Sequence, residues 1–139
     1  MQTRLNPYIS FEAQTREGME FYKTIFGGTL TLSTFEEAGA PVEPEEKMLI
    51  MHAMLEADNG IVLMASDTPK HMGEYKSGTN IGISLSGDND AELRGYGGKL
   101  SVGATITVPL DKAPWGDTFG MLTDKFGIGW LVNIAARKA

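Results

Sequence analysis

At 139 residues, with 42% apolar and 22% charged positions, the chain is long enough to bury one core and has an ordinary globular composition. A formal net charge of −6 argues against nucleic acid and anionic membrane as partners, since both are bound through clustered Lys and Arg; a small anionic ligand stays open, because local charge can oppose the net charge. There is no cysteine, which excludes disulfides, thiolate catalysis and Cys-ligated zinc.

Alternation over Arg4 to Phe11 predicts a first strand. A helix is expected from Arg16 to Phe26, with Thr15 as its N-cap and Met19, Tyr22, Ile25 and Phe26 on one face. Gly27 and Gly28 stop it. Residues 28–35 alternate Thr with Leu and read as a half-buried strand. Residues 36–47, with Pro41, Pro44 and a run of glutamates, read as a mobile, solvated acidic loop. Two strands follow, 48–56 and 61–66, joined by the hairpin signal Asp58-Asn59-Gly60. Residues 68–78, rich in Pro and Gly, read as a linker. Beyond it a strand is expected over 79–86 and a helix from Asp88 to Leu100, weakened by Gly95, Gly97 and Gly98. Strands at 104–110, 118–123 and 128–135 complete the chain, with 111–117 as a loop between the first two.

The two halves repeat. Asn6-Pro-Tyr-Ile-Ser-Phe11 recurs as Asn80-Ile-Gly-Ile-Ser-Leu85. Gly27-Gly-Thr-Leu-Thr-Leu32 recurs as Gly103-Ala-Thr-Ile-Thr-Val108, and Met54 to Ile61 recurs as Met121 to Ile128. Three matches in one order imply two copies of a β-α-β-β-β unit: module 1 over residues 1–67 and module 2 over 79–139. The expected class is α+β, with pseudo-two-fold symmetry and a curved, mostly antiparallel sheet around a cavity. A groove between half-modules is a favoured place for a small ligand. The N-terminal stretch from Met1 to Pro7 carries no apolar leader, and no segment is long and apolar enough for a membrane helix, so a cytoplasmic protein is expected.

Glu20-Phe-Tyr-Lys-Thr-Ile-Phe-Gly-Gly28 resembles the first helix of the vicinal-oxygen-chelate superfamily, which includes glyoxalase I, extradiol dioxygenases and the fosfomycin- and bleomycin-resistance proteins. Met51-His-Ala-Met-Leu55, Leu63-Met-Ala-Ser-Asp67, Pro114-Trp-Gly-Asp-Thr-Phe-Gly-Met121 and Thr123-Asp-Lys-Phe-Gly127 followed by Trp130 resemble its PhnB-like branch. The resemblance implies a homodimer. It also places the superfamily's four metal-ligand positions at Tyr8, Met64, Gly82 and Leu131. A transition metal needs converging imidazole or carboxylate donors, which these residues do not supply. No metal and no cofactor are therefore expected.

Strand parity groups Asn6, Tyr8 and Ser10 on one face of the first strand, and Gly82 and Ser84 on the matching face of its repeat. Met64 and Ser66 share a face, as do Leu131 and Asn133; a tight hairpin brings His52 opposite Ser66 and Met54 beside it. Phe119 is the repeat of His52, and Asp67 ends its strand beside them, either to bind a ligand or to start the turn at Thr68-Pro69. Trp115, between Pro and Gly in a polar loop, either covers the groove or packs elsewhere. Trp130 has core parity, while His71 and Lys70 lie in the linker. The expected function is binding of a small organic molecule. One alternative is a lyase or isomerase acting on a small oxygenated substrate, with His52 as general base and Tyr8 or Ser84 as hydrogen-bond donor. The other is a dimeric module whose cavity is vestigial.

Overall fold

A computed structural model describes residues 2–136. Position 1 and the end of the second module, 137–139, lie outside the described residues. The order of elements is β1 (Tyr8–Phe11), α1 (Thr15–Phe26), β2 (Thr29–Thr34), β3 (Ile50–Glu56), β4 (Val62–Asp67), β5 (Ile83–Gly87), α2 (Asp90–Leu100), β6 (Thr105–Lys112), β7 (Thr118–Thr123) and β8 (Gly129–Ile134). The chain divides into two units at Lys76 and Ser77, within the expected linker. Each unit is one β-α-β-β-β module carrying one four-stranded sheet, in the orders β1-β4-β3-β2 and β5-β8-β7-β6. In each sheet the first and last strands of the module pair in parallel, and the other pairs are antiparallel.

In module 1, α1 forms because Met19, Tyr22, Ile25 and Phe26 recur at helical spacing and bury together. They pack on β2, β3 and β4, where Leu55, Leu63, Ala53 and Ala65 supply the sheet side of the core. Thr15 is not the cap expected of it: it is the first helical residue, and Gln14 at the cap position makes no side-chain bond. The role passes to Asp67, at the end of β4. Its Oδ1 accepts the Thr15 N–H at 2.9 Å, where the helix dipole favours a negative charge. Its Oδ2 accepts the Ile50 N–H at 2.8 Å, so one buried carboxylate ties the helix start to the start of β3. At the other end, Gly28 has φ +92 and lies against the Glu56 carbonyl, so a side chain there meets both strain and collision.

The loop between β2 and β3 is more structured than its charge suggests. It contains a short 3-10 helix, Pro44–Glu46. Glu46 is buried, and its Oε2 accepts the Lys70 N–H at 2.9 Å.

Module 2 follows the same plan with less material. Asn89 caps α2 locally by accepting the Glu92 N–H at 3.1 Å. Only Leu93 and Leu100 of this helix are buried, and it packs chiefly on β5 and β8. Trp130 anchors the core, with its Nε1 donating to Asp124 Oδ2 at 2.9 Å. The other Asp124 oxygen accepts the Phe126 and Ile128 N–H groups and shapes the β7–β8 hairpin. β6 runs on to Lys112, past the expected end at Leu110, and its register against β7 shifts twice, between Ile106 and Val108 and between Val108 and Asp111. Pro109 lies in the second shift, and Gly120 of β7 leaves room for it: a Cβ there would stand 2.9 Å from the Leu110 Cα.

β1 and β5 are shorter than expected. Arg4 to Pro7 lies outside β1, although the Pro7 carbonyl accepts the Met64 N–H. Residues 79–82 lie outside β5.

Candidate functional site

Period-two alternation gives each sheet one face under its helix and one open face. On the open face of the first sheet, Tyr8 stands against Met64, Met64 against Met54, and Met54 against Thr31. A second row holds Ser10 against Ser66. His52, paired with Ser33, lies one alternation beyond Met54. The Tyr8 and His52 rings are 6.1 Å apart, tilted by 50°. Tyr8 is 48% exposed; His52, Met54, Met64 and Ser66 are half-buried. The result is a shallow surface of two thioethers flanked by a phenol, an imidazole and hydroxyls. It offers dispersion contacts at its centre and hydrogen bonds at its edges.

On the second sheet the matching row is Ser84–Leu131–Met121–Val108. The next is Ser86–Asn133–Phe119–Asp111. A cavity of about 650 Å³ opens here, bounded by Asn80, Gly82, Thr107, Met121, Thr123 and Leu131. The register corrects one reading of the repeat. Met64 and Leu131 are equivalent, each paired with a methionine, but the residue that stands against Leu131 as Tyr8 stands against Met64 is Ser84, not Gly82. Gly82 still lies close by: a Cβ there would be 2.6 Å from Leu131 Cδ1.

Trp115, 61% exposed at the tip of the β6–β7 hairpin, meets Phe119 edge-on at 5.6 Å. Asn133 Nδ2 donates to Asp117 Oδ2, and the Ala136 N–H donates to Asp117 Oδ1, each at 3.0 Å. Those two bonds, the Asn133 amide first, hold the Asp117 carboxyl below its ordinary value.

The structure thus brings Tyr8, Ser10, His52, Met54, Met64 and Ser66 together on one open face. It gathers Ser84, Phe119, Leu131, Asn133 and Trp115 on the other. Asn6 precedes β1 and is half-buried. Asp67 leaves the candidate set, because it has helix-side parity and both its oxygens are taken by backbone N–H groups. Lys70 and His71 lie in a short 3-10 helix, Lys70–Met72, beside Glu43 and Glu46. Sequence reasoning missed Met121 and Ser33. Met121 is the repeat of Met54 and was open to the same inference; Ser33 needed the β2–β3 register, which no local pattern supplies.

The doubled β-α-β-β-β plan, with the same strand order in both halves, accompanies a match of residues 4–132 to the family model of the glyoxalase/bleomycin resistance protein/dioxygenase superfamily. The chain belongs to this superfamily. Among solved structures it is similar to protein PA1353 from Pseudomonas aeruginosa, at 33% identity and a TM-score of 0.82, covering 96% of this chain and 98% of that one. It shares its fold with the PhnB protein from Bacillus cereus, at 23% identity and a TM-score of 0.75, covering 96% and 100%. Protein YjdN of Escherichia coli strain K12 is 21% identical over 145 residues, covering 96% of this chain and 97% of that protein.

The positions that the resemblance equates with metal ligands, Tyr8, Met64, Gly82 and Leu131, carry neither imidazole nor carboxylate, and among the described residues no three His, Asp or Glu side chains gather closely enough to hold a metal ion.

Proposed function

We propose that this protein binds a small, partly apolar organic molecule on its open sheet faces, without a chelated metal. The observation that carries the reading is the Tyr8–Met64–Met54 row with the His52 ring beside it. A phenol and an imidazole beside two half-buried thioethers offer such a ligand both hydrogen bonds and dispersion contacts. Methionine suits a ligand face because its flexible, polarizable side chain adapts to shape. The resemblance to dimeric superfamily members supports a homodimer as part of the same reading.

Native mass spectrometry of the purified protein, with elemental analysis in parallel, tests all of it. The expected result is a metal-free dimer carrying a small organic mass, which His52→Ala or Met64→Ala releases. A stoichiometric transition metal overturns the metal-free reading. No retained compound, with no change of melting temperature across a small-molecule library, overturns binding.

A second reading is favoured by the 6.1 Å approach of His52 to Tyr8: His52 acts as general base and Tyr8 as hydrogen-bond donor in a lyase or isomerase reaction on an oxygenated substrate. If the retained compound is converted by the wild type, and His52→Ala binds but does not convert it, this reading replaces simple binding.

A further inference from the structure

We propose a second ligand site in module 2, between its helix and its sheet, whose edge meets the open face at Val108 and Met121. It would take a compact, neutral, hydrocarbon-rich molecule of one or two rings. It does not depend on the open-face reading above.

The argument begins with what is missing. In module 1 the space between helix and sheet is filled by Met19, Tyr22 and Ile25, all buried. In module 2 only Leu93 and Leu100 of the helix are buried, Tyr96 is half-buried, and Gly97 and Gly98 contribute no side chain. A cavity of about 380 Å³ lies there. Its floor is Leu122, Trp130 and Val132, and its walls are α2 and β6. The double bulge of β6 carries Leu110 over Gly120 and toward the helix, so the space has a side wall as well as a floor. This volume falls within the range that small-molecule pockets occupy.

Chemistry selects the occupant. The lining is almost wholly aliphatic and aromatic, and Trp130 is held in place through its bond to Asp124. At the mouth stands Arg94, which bonds Asp90 through Nε at 2.8 Å. The pair is half-exposed and engages Nε alone, so the guanidinium stays solvated at the rim while the apolar lining decides what enters. What remains is dispersion and the removal of apolar surface from water, which favour a neutral hydrocarbon. The filled counterpart in module 1 indicates its bulk, since a tyrosine ring with flanking aliphatic groups occupies that space there.

Camphor is the probe, read by calorimetry and by melting temperature. Wild type should bind it saturably and melt higher in its presence. Gly97→Leu fills the site from the helix: a Cβ at 97 would make ordinary contacts, 3.8 Å from Val132 Cγ2 and 3.9 Å from Leu110 Cδ2. This variant should keep its fold and lose affinity by about ten-fold or more. Ile106→Phe fills the site from the opposite wall and should do the same, which keeps the test sound if Gly97→Leu does not fold. Leu131→Phe, on the opposite sheet face, should leave camphor affinity unchanged. The proposal is overturned if wild type shows no camphor heat or melting shift up to the solubility limit. It is equally overturned if the folded filling variants bind as wild type does, or if Leu131→Phe alone abolishes binding.

Discussion

The two modules share a strand order and differ in how they hold a helix on a sheet. Module 1 presses a full apolar stripe onto three strands and fastens the helix start with Asp67, a carboxylate 52 residues away in sequence from Thr15. Module 2 places Ile134 where Asp67 stands, caps α2 with the adjacent Asn89, and lets two leucines do the packing. A long-range polar tie accompanies the densely packed interface; a local cap accompanies the open one. The topology therefore tolerates a wide range of interface filling, and the unfilled volume becomes available to something else.

Four substitutions would break or sharpen this contrast. Tyr22→Ala makes module 1 resemble module 2 and should cost about 3–5 kcal/mol, the range for a large buried aromatic. Urea denaturation would show it as a large fall in midpoint. A loss below about 1 kcal/mol would mean that module 1 is packed no better than its partner. Asp67→Ala leaves the buried Thr15 and Ile50 N–H groups without acceptors and should cost about 2–4 kcal/mol, with Asp67→Asn recovering part of it. Amide hydrogen exchange should locate the new opening at the start of α1 and of β3.

Gly95→Ala with Gly98→Ala adds side chains where nothing lies within 4 Å, in a helix of ordinary φ. Each should stabilise by about 0.5–1 kcal/mol through backbone entropy alone. A loss of stability instead would show that α2 needs its glycines for conformation rather than for space.

The smallest effect concerns Asp117. Its folded-state value lies below the ordinary 3.8, so its contribution is complete above that value and disappears as pH falls through the folded one. The stability gap between wild type and Asp117→Asn should therefore narrow as the solution is acidified below 3.8. A gap that stays constant from neutrality to strong acid would mean that the Asn133 and Ala136 bonds do not depend on the charge.

Much of this architecture was legible because it rests on local periodicity. Alternation marked β1 and β2, a hairpin signal marked β3 and β4, the repeat carried the plan into module 2, and helical spacing marked Met19, Tyr22 and Ile25. The misreadings have physical causes. Arg4 to Pro7 alternates but lies beyond the end of β1. The Thr15 cap was a local inference defeated by a distant carboxylate. The match of Asn80–Leu85 to Asn6–Phe11 follows the apolar residues, yet β5 sits two residues along β8 from where that match puts it. A slip of two residues preserves parity, so the assignment of side chains to open and covered faces survived while the partner of Leu131 changed. The bulges of β6 were hidden because they depend jointly on Pro109 and on the missing side chain of Gly120, which lie on different strands.

Those bulges have a further consequence. β6 is one of the two outer strands of its sheet, and an outer strand is where a stray chain adds on by backbone pairing. Such addition needs a regular ladder of donors and acceptors. Pro109 provides no donor, and two register breaks within eight residues leave no straight run for a visitor to follow. The irregularity that walls the space under α2 thus also shields this margin against fibrillar growth, and a repair that straightened β6 would expose it.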